Sequence, residues 1–239
     1  MAAKQQGNKA ALKRGLLARP LDALAFLLPL ILFYEIMCLT GQNDRVIAFD
    51  LMRRFFELFG HLGMWAPGLG AIAILIATHT VSGEKWTIHW RRVGMMYPEA
   101  VALAVPLLAL NWAIPLTGLT GNGASMWDRL AMGIGAGIYE ELVFRLVLIS
   151  IVMMVGVDLL RQNHTWVALA AIVISSLAFA AHHHPPIGVE PFAAMPFMFR
   201  SVAGIYLAMI FWYRGYGPAA GCHAAYNVVL ACLNGGNLG

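Results

Sequence analysis

The side chains with chemical capacity are concentrated on three apolar stretches. Tyr139-Glu140-Glu141-Leu142-Val143-Phe144-Arg145 lies inside a run fit for a lipid bilayer, from Leu130 to about Val157. Phe179 and His183 on one later apolar segment, and His223 and Asn227 on another, are each spaced i, i+4. That spacing places both members of a pair on one helix face. A carboxylate, an imidazole, and an imidazole plus an amide are the groups needed to handle water and a carbonyl. A glutamate acts as general base toward a water that a neighbour holds or polarises, and an imidazole and an amide can donate to a developing oxyanion.

The apolar setting makes these residues informative. Even lenient insertion scales put an Asp, Lys or Arg at the centre of a membrane helix at about +2.5 to +3.5 kcal/mol. Glu141 and Arg145 are four apart and can pair directly. Glu140 is turned about 100° from Glu141 at roughly 3.6 residues per turn, so the arginine neutralises it less readily. Glu141–Arg145 therefore reads as an orienting pair and Glu140 as the carboxylate left for chemistry. Each feature also has a plainer reading. The ion pair could only fix helix packing, and His182-His183-His184 before Pro185-Pro186 could be a helix end or a surface metal tract. His223 could be a satisfied core histidine and Asn227 interhelical glue. Their joint occurrence on three separate apolar segments favours a site.

The elements that must position them follow from composition. The chain has 239 residues, 60% hydrophobic and 12% charged, with a mean hydropathy of +0.70. Soluble domains carry about 25% charged residues, so the composition indicates an integral membrane protein. An all-α bundle of about seven spans fits this length at roughly 20 apolar residues per span. The expected spans are about 21–39, 62–81, 93–116, the Glu-Glu segment, 165–182, 195–213 and 218–233. Residues 46–59 mix apolar and charged side chains and read as an amphipathic interfacial helix. Pro98, Pro106 and Pro115 predict a kinked or broken third span, and the two prolines after His184 stop the fifth. Glu35, His61 and His79 read as interfacial residues, Glu99 sits near the start of the third span, and Arg200 falls inside the sixth.

The net charge of +4 does not argue for nucleic acid. The basic residues gather in residues 1–20 and around Lys85, Arg91 and Arg92, where they act as topology signals for a cytoplasmic tail and loop. Cys38, Cys222 and Cys232 lie in or beside apolar segments without CxxC spacing and read as buried small hydrophobes. Three regions are expected: a basic tail over 1–20, membrane helices over 21–120, and a catalytic membrane core over 121–239.

Glu140-Glu141-x-x-x-Arg145, Phe179-x-x-x-His183 and His223-x-x-x-Asn227, in this order on separate spans, resemble the CPBP intramembrane proteases. That superfamily holds the type II CAAX prenyl endopeptidases and the bacteriocin-processing and immunity (ABI) proteins. The resemblance covers about residues 125–235. It implies an endopeptidase acting on a membrane-associated or lipidated protein or peptide, in a multi-pass protein of a bacterial inner membrane. It implies further that Glu140 and His183 activate water, that Glu141 and Arg145 hold the site, and that His223 and Asn227 stabilise the oxyanion. Glu140, His183 and His223 would also serve as three ligands for a divalent metal such as zinc. No His-Glu-x-x-His is present, and a metal-free, glutamate-type mechanism resembles the picture for the prenyl endopeptidases. The rival readings are a non-catalytic immunity or scaffold protein that binds a partner through the same cavity, and a proton-coupled transporter. No internal repeat supports the transporter.

Overall fold

The structure is a computed structural model and describes residues 19–40, 66–114, 125–188 and 190–235. Residues 1–18 of the expected tail, the amphipathic 46–59 segment, His61 and Pro115 lie outside the described residues. The described residues form seven helices. They are α1 (Pro20–Thr40), α2 (Ala66–Ser82), α3 (Trp90–Ala113), α4 (Met126–Leu159), α5 (His164–Ala181), α6 (Ala194–Arg214) and α7 (Tyr216–Gly235). Within these residues, α1, α3, α4, α5 and α6 are long and apolar enough to cross a membrane. This is a polytopic helical bundle.

The outward faces are apolar, with Leu32, Val101, Val105, Trp112, Trp166 and Val202 among the exposed side chains. In water such a surface would be a liability; against lipid it is the expected one. Helix α7 does not share that character. It packs on α4, α3, α6 and α1, and its first half is almost entirely buried. A helix wrapped by others can use small and polar residues where a lipid-facing one needs bulk. Small residues also bring backbones together. A Cβ at Gly137 of α4 would come 2.4 Å from the Ala224 nitrogen of α7, so only glycine fits there.

Local chemistry sets the helix ends. Ser125 and Asp128 form a reciprocal capping box at the start of α4, which satisfies two otherwise orphaned amides. Asn163 accepts from the amides of Thr165 and Trp166 to open α5. Between α6 and α7 the chain turns on Gly215 alone, at φ 88°, a left-handed conformation that glycine adopts without a Cβ penalty. Buried Asp22 of α1 accepts from the His89 amide and from Arg92 Nη1, both at 2.9 Å, and so anchors the first turn of α3.

Several expectations need correction. Of the two alternatives for the third span, kinked or broken, the break is overturned: helix α3 is continuous through Pro98 and Pro106. Glu35, expected as a plain interfacial acid, is buried between helices, and its Oε1 accepts from the Gly68 amide and the Tyr139 hydroxyl, each at 3.1 Å. His79 is likewise buried, with its ring edge-on to Trp86 at 4.5 Å. Cys38 and Cys222 are buried as expected, but Cys232 is exposed near the end of α7. Glu99 is tied to Arg214 through both carboxylate oxygens, at 2.6 and 2.9 Å.

Candidate active site

The Glu-Glu segment is where α4 changes its winding. The helix is α-helical over Met126–Glu141, π-helical over Leu142–Ile149, α-helical over Ser150–Met153 and π-helical again over Met154–Leu159. π-Turns are rare and cluster at functional sites. They misalign carbonyls from the regular ladder, and here Ser175 of α5 donates to the Phe144 carbonyl at 2.7 Å.

The first π-turn begins just after the two carboxylates, which face different partners. Glu141 and Arg145 are both 0% exposed and meet at 3.0 Å. Arg145 also donates to the Gly204 carbonyl of α6 at 3.3 Å and lies 4.4 Å from the Phe179 ring centroid. A guanidinium over an aromatic face gains further attraction where water is excluded. The same Glu141 Oε1 lies 2.9 Å from His223 Nδ1. A carboxylate can only accept, so His223 carries its proton on Nδ1 and turns Nε2 the other way. That nitrogen lies 3.8 Å from Glu140 Oε2.

Glu140 is turned away from Arg145 and lines a cavity of about 380 Å³ enclosed by α3, α4, α5, α6, α7 and the α5–α6 connection. His183, His223 and Asn227 line the same cavity. All six residues singled out by motif therefore converge: four on the cavity, and Glu141 and Arg145 directly behind it. The i, i+4 argument for Phe179 and His183 reached the right neighbours by a different route. Helix α5 ends at Ala181, and His183 sits in the turn beyond it, its ring 5.4 Å from that of Phe179.

His182 is the residue that motif reading missed. Its Nε2 lies 3.6 Å from Glu140 Oε1, and its ring sits 3.9 Å from that of His183. Both imidazoles present Nδ1 to the Phe179 carbonyl, His183 at 3.0 Å. The carbonyl accepts, so in each neutral ring Nε2 keeps its lone pair. Burial pushes His183, which lies past the end of α5, down to about 3, although the Glu140 carboxylate pulls the other way. It is therefore neutral at pH 7. The only sequence signal for His182 was the histidine triplet itself, which does not say which ring points inward.

Ligand atoms of Glu140, His182 and His183 all lie within 4.8 Å of one another. A carboxylate and two imidazoles, each oriented by a bond through its second nitrogen, form a donor set that fits a divalent metal such as zinc. This group differs by one member from the expected Glu140, His183 and His223. His223 stands across the carboxylate with its ring fixed by Glu141.

Asn227 directs its amide Nδ2 to the Gly133 carbonyl at 3.0 Å. A Cβ on Gly133 would come 2.9 Å from Asn227 Cβ, so this approach also depends on glycine. An amide has two N–H groups, and the Gly133 carbonyl occupies one of them.

Residues 122–229 match the family model described as Type II CAAX prenyl endopeptidase Rce1-like. Those residues belong to that family. The family is one of peptide hydrolases, and the matched segment contains every residue of the convergent site. This segment is therefore similar to the corresponding part of membrane proteases. No curated protein and no solved structure matches the chain.

Proposed function

We propose that the protein is an intramembrane endopeptidase that hydrolyses a peptide bond of a membrane-associated or lipidated protein or peptide. The reaction uses water activated by Glu140, within a catalytic core over 121–239. The observation that carries this reading is the division between the two carboxylates. Glu141 is committed to Arg145 and His223, while Glu140 opens onto a cavity that also holds His183, His223 and Asn227.

Glu140 takes a proton from the attacking water as its oxygen bonds to the substrate carbonyl carbon. Neutral His183 orients that water through Nε2, its ring held by the Phe179 carbonyl. The oxyanion is met by the second N–H of Asn227 and by His223 Nε2 when that ring carries both protons. When the C–N bond breaks, Glu140 returns the proton to the leaving amine, so one water is consumed and Glu140 is regenerated. Arg145 and Glu141 act behind this surface by fixing the His223 ring. Glu140, His182 and His183 would hold a divalent metal such as zinc, which supplies Lewis-acid polarisation when bound.

The test is incubation of the detergent-purified protein with a broad quenched-peptide library, with and without a chelator. Cleavage is expected. Loss of cleavage with the chelator and recovery with zinc would assign Glu140 to metal binding instead of the direct base role. If neither the library nor membrane-anchored peptides are cut, the protease reading is wrong.

A further inference from the structure

The cavity carries a second charged group that the hydrolytic residues leave unexplained. Arg200 of α6 lines it, and its side chain is only 8% exposed. Arginine–carboxylate pairs are frequently bidentate, with two parallel bonds from the fork nitrogens. Arg200 is met by Glu190, but through Nη2 alone, at 2.9 Å to Oε1 and 2.7 Å to Oε2. Its Nη1 is buried without a hydrogen-bond partner. A second guanidinium, Arg129 of α4, lines the same cavity with its Nε also buried and unpartnered.

Glu190 is placed to move. Its side chain is 42% exposed. Its backbone is pinned independently, the amide donating to the His183 carbonyl and the carbonyl accepting from His184 Nδ1, each at 3.1 Å. The carboxylate can therefore leave Arg200 while the turn carrying His183 stays in place. An incoming carboxylate could then engage both fork nitrogens where Glu190 engages one.

We propose that Arg200 is an anion subsite that binds a carboxylate of the substrate peptide, and that Glu190 occupies this subsite until substrate arrives. The proposal rests on the protease reading only for the identity of the ligand as a substrate. It assigns Arg200 a role in specificity and Glu190 the role of an internal competitor. The carboxylate belongs either to the peptide's C-terminus or to an acidic side chain.

The experiment uses one apolar, rhodamine-labelled peptide in three forms: with a free C-terminal carboxylate, with a C-terminal carboxamide, and with a carboxamide plus one internal glutamate. Affinity is read by fluorescence anisotropy and cleavage by KM and kcat, with the full-length protein in a non-ionic detergent. The wild type should favour one of the two carboxylate forms over the plain carboxamide by about tenfold in Kd and KM, the scale of one charged hydrogen-bonded pair. Whichever carboxylate form is favoured identifies the source. In Arg200→Gln the carboxylate-to-carboxamide ratio should fall to about one. If Arg200→Gln does not fold, Glu190→Gln, altered on the half-exposed turn, carries the test. It should tighten the carboxylate form severalfold and leave the carboxamide unchanged. An equal preference in the wild type, a preference that survives Arg200→Gln, or no selective shift in Glu190→Gln overturns the subsite. Selective binding without cleavage of any form retires the protease reading and leaves the subsite standing; cleavage without selectivity does the reverse.

Discussion

Arg145→Ala should be among the most damaging single substitutions in the molecule, and its effect can be worked from its neighbours. The guanidinium is fully buried and makes three contacts: Glu141 at 3.0 Å, the Gly204 carbonyl at 3.3 Å and the Phe179 ring at 4.4 Å. Removing one partner of a buried pair costs about 3–5 kcal/mol, mostly because the other charge is left behind. Here Glu141 retains the His223 Nδ1–H at 2.9 Å, which places the expectation toward the lower end, about 3 kcal/mol. The double variant Arg145→Ala/Glu141→Gln removes both charges and leaves an amide oxygen for His223. It should recover most of that loss, giving a coupling of about 1–3 kcal/mol in a double-mutant cycle. Activity should not recover in parallel, because the carboxylate that orients His223 is gone; loss of such a supporting group costs about 10- to 100-fold. Unfolding in mixed detergent and SDS, followed by tryptophan fluorescence beside a cleavage assay, measures both quantities. If Arg145→Ala unfolds within about 1 kcal/mol of wild type, the reasoning from buried-pair energetics fails.

Three further substitutions test the positioning of the site. Ser175→Ala leaves the Phe144 carbonyl of the π-turn without its donor and should cost about 1–3 kcal/mol in the same unfolding assay. Gly137→Ala forces a Cβ to within 2.4 Å of the Ala224 backbone and should destabilise by about 1–3 kcal/mol. Glu35→Leu removes the acceptor shared by Tyr139 and the Gly68 amide. It should lower stability by about 1–3 kcal/mol, and thermal unfolding would expose an error if no loss is seen.

The helices were legible because hydrophobic run length determines what a bilayer accepts; the last four fall within a few residues of their expected bounds. The Glu141–Arg145 pair and the convergence of Glu140, His183, His223 and Asn227 were legible for a related reason. Polar groups on apolar helices must find one another or be lost. What escaped depends on contacts that hydropathy does not encode. The π-winding after Glu141 is accompanied by a bond from Ser175, which is 31 residues away from the carbonyl it meets. Burial of Glu35 depends on Gly68 and Tyr139 reaching it from two other helices. His182 enters the site because α5 ends at Ala181 and a turn, with no fixed helical face, carries the next three residues. The position of α7 inside the bundle makes its modest apolar character sensible only after its neighbours are known.

The central claim is that Glu140 is the base and Glu141 is not. The direct measurement is the single-turnover cleavage rate of one identified peptide by the wild type and by Glu140→Gln, each normalised to folded protein. Glutamine keeps the size and hydrogen-bonding oxygen of the side chain but cannot take a proton from water. The account predicts a loss of about 10²- to 10⁴-fold, the usual contribution of a positioned base, with folding unchanged. A Glu140→Gln enzyme that cleaves within about tenfold of the wild-type rate, well short of that contribution, would contradict it.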